Sequence, residues 1–196
     1  MKRRWVLVVA CVLIAVWLIV RLRPPHSARV QTQVSGTSPT QAPNVYLGLR
    51  SLVLQGTRAN FGLGPGSKPT QPFAVVMDWG ISEGSSTVVA IADGSASVYL
   101  SNGSGFIGGG QIHQSIRNAA LKTVELADEV QPLMHPTRAY PLAPRGQVNF
   151  YVVADAGVFT ATATEDDLRS HRSPFSNLGD SAQNIINEYR RIPPRQ

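Results

Sequence analysis

Cysteine and histidine are scarce in this sequence of 196 residues, which holds one cysteine and four histidines. The single cysteine, Cys11, lies in an apolar run near the N-terminus, so residues 45–196 can form no disulfide and offer no thiolate nucleophile or metal ligand. Charged residues make up only 15% of the chain, and no dense cluster of acids and histidines stands out. We therefore expect no metal site and no cofactor, and an enzymatic activity is the less favoured hypothesis.

An excess of positive charge is also missing from most of the chain, although the net charge of the whole is +6. Residues 1–44 contain six Lys and Arg residues and no acid, so the other 12 basic residues face all 12 Asp and Glu in residues 45–196. A domain that binds nucleic acid needs uncompensated cations to displace counterions from the phosphates. The neutral C-terminal part predicts no nucleic-acid partner.

The longest apolar run covers residues 5–20 and is flanked by Lys2-Arg3-Arg4 and by Arg21 and Arg23. Sixteen helical residues span roughly 24 Å, and snorkelling arginines extend that reach toward the roughly 30 Å of a bilayer core. No small-residue cleavage site follows, which favours an uncleaved transmembrane signal anchor over a signal peptide. The predicted anchor residues are Trp5, Val6, Leu7, Val8, Val9, Ala10, Cys11, Val12, Leu13, Ile14, Ala15, Val16, Trp17, Leu18, Ile19 and Val20.

These patterns predict a basic N-terminus (1–4), a transmembrane segment (5–22), a flexible Pro/Ser/Thr/Gln-rich tether (23–44) and a globular domain (45–196). The predicted localisation is a single-pass protein of a bacterial inner membrane, with the C-terminal domain outside the cytoplasm. Flanking charges are nearly balanced, so the orientation rests on the usual behaviour of N-terminal signal anchors. The membrane is then one partner, and the sequence does not define the oligomeric state.

Three strand patterns occupy residues 73–79, 87–92 and 95–100, and the Asp93-Gly94 pair predicts a hairpin. A helix with one apolar side follows over residues 111–131, and a second hairpin joins 148–154 to 158–164. A short helix after Asn44 and a last helix capped by Asp180 complete the pattern. The order α-β-β-β-α-β-β-α predicts an α+β fold with a five-stranded, largely antiparallel sheet and packed helices, preceded by one transmembrane helix.

A glycine-dense loop at residues 103–110 separates the third strand from the central helix. Its GxGxxG spelling matches a dinucleotide fingerprint, but that motif needs parallel strands and an acid about twenty residues on, and both are missing. Two readings remain: the glycines allow tight packing of helix and sheet, or backbone N–H groups at the helix start bind an anion. The candidate ligand-binding residues of the loop are Gly103, Gly105, Gly108, Gly109 and Gly110.

Asp78 ends the first strand in the sequence Met77-Asp78-Trp79-Gly80. The succession strand, Asp-x-Gly, strand, Asp-Gly turn, strand and helix resembles the opening of ribonuclease H-like and actin-like ATPase domains over about fifty residues. That resemblance implies that Asp78 places a divalent metal or a phosphate. The other reading is a side chain that caps the turn at the strand end.

His113 lies at the edge of the apolar side of the central helix, within reach of the glycine loop. A binding site, if the domain has one, is predicted where Asp78, the loop and His113 converge. The first functional hypothesis is a binding or interaction module for a protein or envelope component. The alternative is a small-ligand or metal-dependent phosphate-processing domain that uses Asp78 and residues 103–110.

Overall fold

A computed structural model describes residues 42–193, which form four α-helices and seven β-strands joined by short 3-10 turns. The helices are α1 (Ala42–Leu54), α2 (Gln114–Val130), α3 (Glu165–Arg169) and α4 (Ser176–Arg190). The strands are β1 (Pro72–Ile81), β2 (Gly84–Ile91), β3 (Ala96–Leu100), β4 (Gly105–Ile107), β5 (His135–Thr137), β6 (Gln147–Ala154) and β7 (Gly157–Thr164).

All seven strands join one antiparallel sheet in the order β4-β3-β2-β1-β6-β7-β5. Apolar and β-branched residues dominate β1, β2 and β6, whose side chains are buried on both sides of the sheet. Both predicted hairpins form. A two-residue Asp-Gly turn needs a positive φ at both residues, but at the first turn only Gly94 has one, 84°.

The two faces of the sheet are covered differently. On the main face, α2, α3 and α4 pack over an apolar layer that includes Val75, Met77, Val88, Phe150 and Val152. On the opposite face, called the α1 face, α1 and the loops beside it cover a second apolar cluster. That cluster includes Tyr46, Val53, Leu54, Phe73, Ala74, Val76, Tyr151 and Val153.

The predicted α+β class is correct, but the five-stranded sheet is wrong because the sheet has seven strands. The two additional strands, β4 and β5, lie at the edges and have three residues each. Such short strands carry too little alternation to be read as a pattern. β4 lies inside the predicted glycine loop, and Pro136 interrupts the pattern of β5.

Two predicted helix features also need correction. The spacing of Tyr46, Leu49, Leu52 and Val53 predicts one inward-facing side of α1, yet the Leu52 side chain is 69% exposed, while Arg50 is buried. Asp180 was expected to cap the last helix, yet α4 begins at Ser176 and Asp180 lies in its second turn. The helix starts earlier because Phe175 and Leu178 pack against the main face, and this burial outweighs the local capping signal.

No helix within residues 42–193 is both long enough and apolar enough to cross a bilayer. This finding contradicts the transmembrane element of the predicted fold and the predicted localisation in a bacterial inner membrane, and we withdraw both. The predicted N-terminus (1–4) and anchor (5–22), and all but the end of the tether (23–44), lie outside the described residues.

Candidate functional site

Asp78 lies in the middle of the sheet on the α1 face and is fully buried. One carboxylate oxygen accepts hydrogen bonds from Arg50 Nε at 2.8 Å and Arg50 Nη2 at 2.5 Å, and the other accepts one from Thr87 Oγ1 at 2.5 Å. An ionised carboxylate in such a place needs a paired cation to compensate for lost hydration. Arg50 supplies this cation from the inner side of α1.

The polar contacts continue on both sides of this ion pair. Tyr46 and Thr87 share a hydrogen bond of 2.7 Å between their hydroxyl oxygens, and Tyr151 donates its hydroxyl to the carbonyl of Pro141 at 2.6 Å. The Arg50 guanidinium lies 5.2 Å from the centre of the Tyr151 ring. The result is a closed network, in which the polar side chains bind one another and leave no open side of Asp78.

The ionisation of this network follows from burial and from the central charge. Burial raises the pKa of Tyr46 and of Tyr151, so both remain neutral donors. Burial works to lower the pKa of Arg50, but the hydrogen bonds and charge of Asp78 outweigh it and hold the pKa above its usual value. The guanidinium therefore stays charged, and the network ties α1 to the sheet.

The five candidate glycines are distributed along the edge of the sheet. Gly103 lies in the turn between β3 and β4, and Gly105 opens β4. A Cβ on Gly109 would lie 2.5 Å from the Tyr189 ring, and one on Gly110 would lie 1.8 Å from the carbonyl oxygen of Gly94. Gly109 also donates its N–H to Tyr189 Oη at 2.8 Å, so that group already has a partner. Close packing accounts for these two glycines.

His113 precedes α2 at its N-cap position and is half-buried. Because α2 packs on the main face, His113 lies on the other side of the sheet from the Asp78 side chain. Cross-strand partners lead from Asp78 to Thr87, then to Tyr99 and then to Gly105. The Cα atoms of Asp78 and Gly105 are therefore three strand spacings apart, about 14 Å. The structure therefore does not bring the predicted site residues together, and their role in binding stays a prediction.

Within residues 42–193, no group of three or more His, Cys, Asp or Glu side chains is placed to hold a metal ion. Asp78 is sealed by Arg50 and Thr87, so no lone pair faces solvent. The geometry thus gives little support to the metal-dependent alternative. Its remaining basis is the short sequence resemblance.

A different feature of the molecule is open to solvent. An apolar groove of about 350 Å³ lies at one end of the main face, between α4 and the ends of β1 to β4. We call it the Phe106 groove. It is lined by Trp79, Ile81, Ser86, Val98, Leu100, Phe106, Gln183, Ile186, Tyr189 and Arg190.

Aromatic contacts shape the floor of this groove. The Phe106 ring stacks on the Tyr189 ring with the centres 5.0 Å apart and 19° between the planes. The position of Tyr189 is fixed in turn, because its hydroxyl donates a hydrogen bond to the carbonyl of Ala96 at 2.6 Å. Burial raises the pKa of Tyr189, so this hydroxyl stays neutral. Phe106 remains 39% exposed and Ile81 36% exposed. Phe106 is thus a large apolar side chain that stacks on the buried Tyr189 while part of it remains at the surface.

The Phe106 groove borders the free edge of the sheet at β4. Leu100 donates its N–H to the carbonyl of Ser104 at 2.8 Å, which fixes the alternation of bonded pairs along this hairpin. It follows that the backbone groups of Phe106 point to β3, whereas those of Gly105 and Ile107 point outward. Neither Gly105 nor Ile107 bonds to another strand on this outer side among residues 42–193. This edge can accept a further strand.

A smaller cavity of about 180 Å³ adjoins the groove and shares Trp79 and Gln183 with it. Trp79 donates its ring N–H to Glu165 Oε2 at 3.3 Å, so its ring forms a wall between the two spaces. The side-chain oxygen of Gln183 is shielded from water and accepts no hydrogen bond among the described residues.

Sequence reasoning missed Trp79, Phe106, Ile186 and Tyr189 as site residues. The available signal was the pair Phe106-Ile107, two large apolar residues inside a run of glycines. Such residues are unexpected in a loop that serves only as a turn. Comparison with family models, with curated proteins and with solved structures found no match to this chain.

Proposed function

We propose that this protein is an interaction module that binds an extended, apolar segment of a partner protein at β4 and in the Phe106 groove. The observation that carries the proposal is the exposure of Phe106 on a strand edge with outward backbone groups, in a groove that also contains the exposed Ile81. Large exposed apolar patches on folded proteins commonly mark binding sites. Addition of a strand at a sheet edge supplies affinity through backbone hydrogen bonds.

The geometry also supports a particular kind of partner segment. Side chains of an added strand alternate between the two faces, so every second one would enter the Phe106 groove. The groove favours apolar side chains at these positions, because its lining is almost entirely apolar. Arg190 is exposed at the groove and favours an acidic residue at the neighbouring end of the segment.

A peptide library displayed on phage and selected against the immobilised full chain tests this proposal. We expect selected peptides to share apolar residues at alternating positions. Phe106→Asp places a charge in the groove and should weaken binding of a selected synthetic peptide by at least about tenfold, because burial of an unpaired charge is costly.

Leu52→Asp is the matched control, because it makes the same kind of change at an exposed apolar residue of α1, on the other face. It should leave the affinity unchanged. The proposal fails if no peptides are enriched, if enriched peptides lack the alternating pattern, or if both variants bind equally well.

A further inference from the structure

A second cavity of about 610 Å³ lies on the α1 face, away from the Phe106 groove, and shares no lining residue with it. The end of α1, the turn between β6 and β7, and residues 136–140 enclose it. Leu54, Phe73, Val153 and Val158 contribute apolar side chains to its lining. Its volume falls within the range of about 300–1,000 Å³ that is typical of small-molecule sites.

The only acidic residue in the lining of this cavity is already neutralised. Asp155 accepts a hydrogen bond from Arg58 Nε at 2.7 Å, and the two form an ion pair. Arg58 is held in place by a second hydrogen bond of 2.7 Å to the carbonyl of Gln71 and lies 5.2 Å from the centre of the Phe73 ring. The negative charge of Asp155 is therefore compensated at the cavity wall.

Two side chains at the cavity can donate hydrogen bonds and have no partner among the described residues. Arg138 and Tyr140 line it, and neither side chain has an ion pair or hydrogen bond within residues 42–193. A guanidinium has donors and no acceptor and is always charged, and a phenol hydroxyl donates readily. The C-terminal end of α1 lies nearby, and its carbonyl groups disfavour a bound anion. Two of these carbonyls, those of Ser51 and Val53, already accept hydrogen bonds from Gln55 N and Gly56 N.

We propose that this cavity binds a small organic carboxylate with an apolar body. Arg138 and Tyr140 hold the carboxylate, and the body lies on Leu54, Phe73, Val153 and Val158. The cavity is lined in part by the buried apolar residues Leu54, Phe73, Val153 and Val158, and one uncompensated cation at its rim favours such a ligand over a neutral molecule or a cation. This site is independent of the peptide site proposed at β4.

Equilibrium dialysis of the full chain with 4-phenylbutyrate, compared with 4-phenylbutanamide, tests the proposal. The two probes have the same body and differ in charge. We expect the acid to bind at least about tenfold more tightly, because a hydrogen bond to a charged group contributes roughly that factor. Arg138→Ala should abolish the difference. Arg145→Ala is the matched control, an exposed arginine that does not line the cavity, and should preserve it.

A second variant, Gln55→Trp, fills the rim from an exposed position that makes no side-chain hydrogen bond within residues 42–193 and should prevent binding of the acid. Phe106→Asp should leave binding of the acid intact, which separates this proposal from the peptide site. The proposal is overturned if the acid does not bind, if the amide binds equally well, or if inorganic phosphate displaces the acid completely.

Discussion

The two faces of the sheet are stabilised by different chemistry. On the main face, helices α2 and α4 bury an apolar layer in which Ile116, Leu178, Ile185 and Phe150 have no exposed surface. On the α1 face, one helix lies over a sheet that carries the buried ion pair of Asp78 and Arg50 at its centre. The stability of the main face depends on the shape and volume of its apolar side chains, and that of the α1 face depends also on directional hydrogen bonds.

This difference explains how a single helix is fixed in register. Apolar contacts alone allow a lone helix to slide or rotate at little cost, because dispersion and burial are not directional. The Arg50 fork reaches Asp78 with two hydrogen bonds, and Tyr46 reaches Thr87 one turn earlier along α1. Two polar contacts on one side of a helix define both its rotation and its position. The face with less coverage thus depends more on specific contacts.

The largest expected effect comes from breaking the ion pair on one side only. Arg50→Met leaves a buried carboxylate without its cation and should lower the free energy of unfolding by about 3–5 kcal/mol. The double variant Arg50→Met, Asp78→Leu removes both charges and should recover most of the loss. Urea denaturation of the full chain measures both. Equal instability of the two variants would contradict the assignment of the cost to an unpaired charge.

A smaller loss of stability is expected on the main face, where the volume of the buried side chains determines the effect of a substitution. Leu178→Ala should lower the free energy of unfolding by about 3 kcal/mol through lost burial and a residual cavity. Leu178→Met nearly keeps the volume and should cost less than about 1.5 kcal/mol in the same measurement. A large loss for the methionine variant would show that this face depends on specific contacts as strongly as the other.

The smallest effect is the contribution of one buried tyrosine to the loss of stability at alkaline pH, and both faces carry such tyrosines. Burial raises the pKa of Tyr46 and Tyr151 on the α1 face, of Tyr99, and of Tyr189 on the main face. A raised folded-state pKa gives stability that is fully present below the unfolded pKa of about 10 and is lost as the pH rises through the folded value. Each tyrosine should contribute a slope of up to about 1.4 kcal/mol per pH unit above pH 10.

Tyr189→Phe should reduce the pH dependence of the free energy of unfolding above pH 10 by the contribution of one tyrosine. Tyr46→Phe should have the same effect on the other face. Denaturation midpoints between pH 9 and pH 12 provide the measurement. A slope that neither variant changes would show that other groups control the alkaline transition.

Much of the fold follows from local sequence, and the polar contacts do not. The hairpins at Gly94 and Gly157 are readable because the turns need glycine, with φ of 84° and 122°. The side of α1 that faces the sheet was misread at Leu52, since Arg50 turns inward to meet a residue 28 positions later. The periodicity of the sequence cannot predict the pairing of Arg50 with Asp78, because it describes only local structure. The ends of the sheet were missed because three-residue strands depend on their neighbours.

The candidate site was still less accessible to sequence reasoning. Glycines and an aspartate attracted the predictions because such residues serve known chemistries, yet here Gly105, Gly109 and Gly110 pack closely and Asp78 is sealed in the core. The Phe106 groove instead combines residues from β1, β4 and α4. Only the complete topology brings these side chains together.

The contact of Tyr189 with Gly109 and Ala96 has a consequence for folding. These hydrogen bonds join residues 80 and 93 positions apart, so a long loop must close before they can form. The hairpins of the sheet can form earlier, since they are local. The floor under Phe106 is therefore expected to be among the last parts of the structure to assemble. A chain still emerging from the ribosome would present the strand edge before the rest of its binding surface.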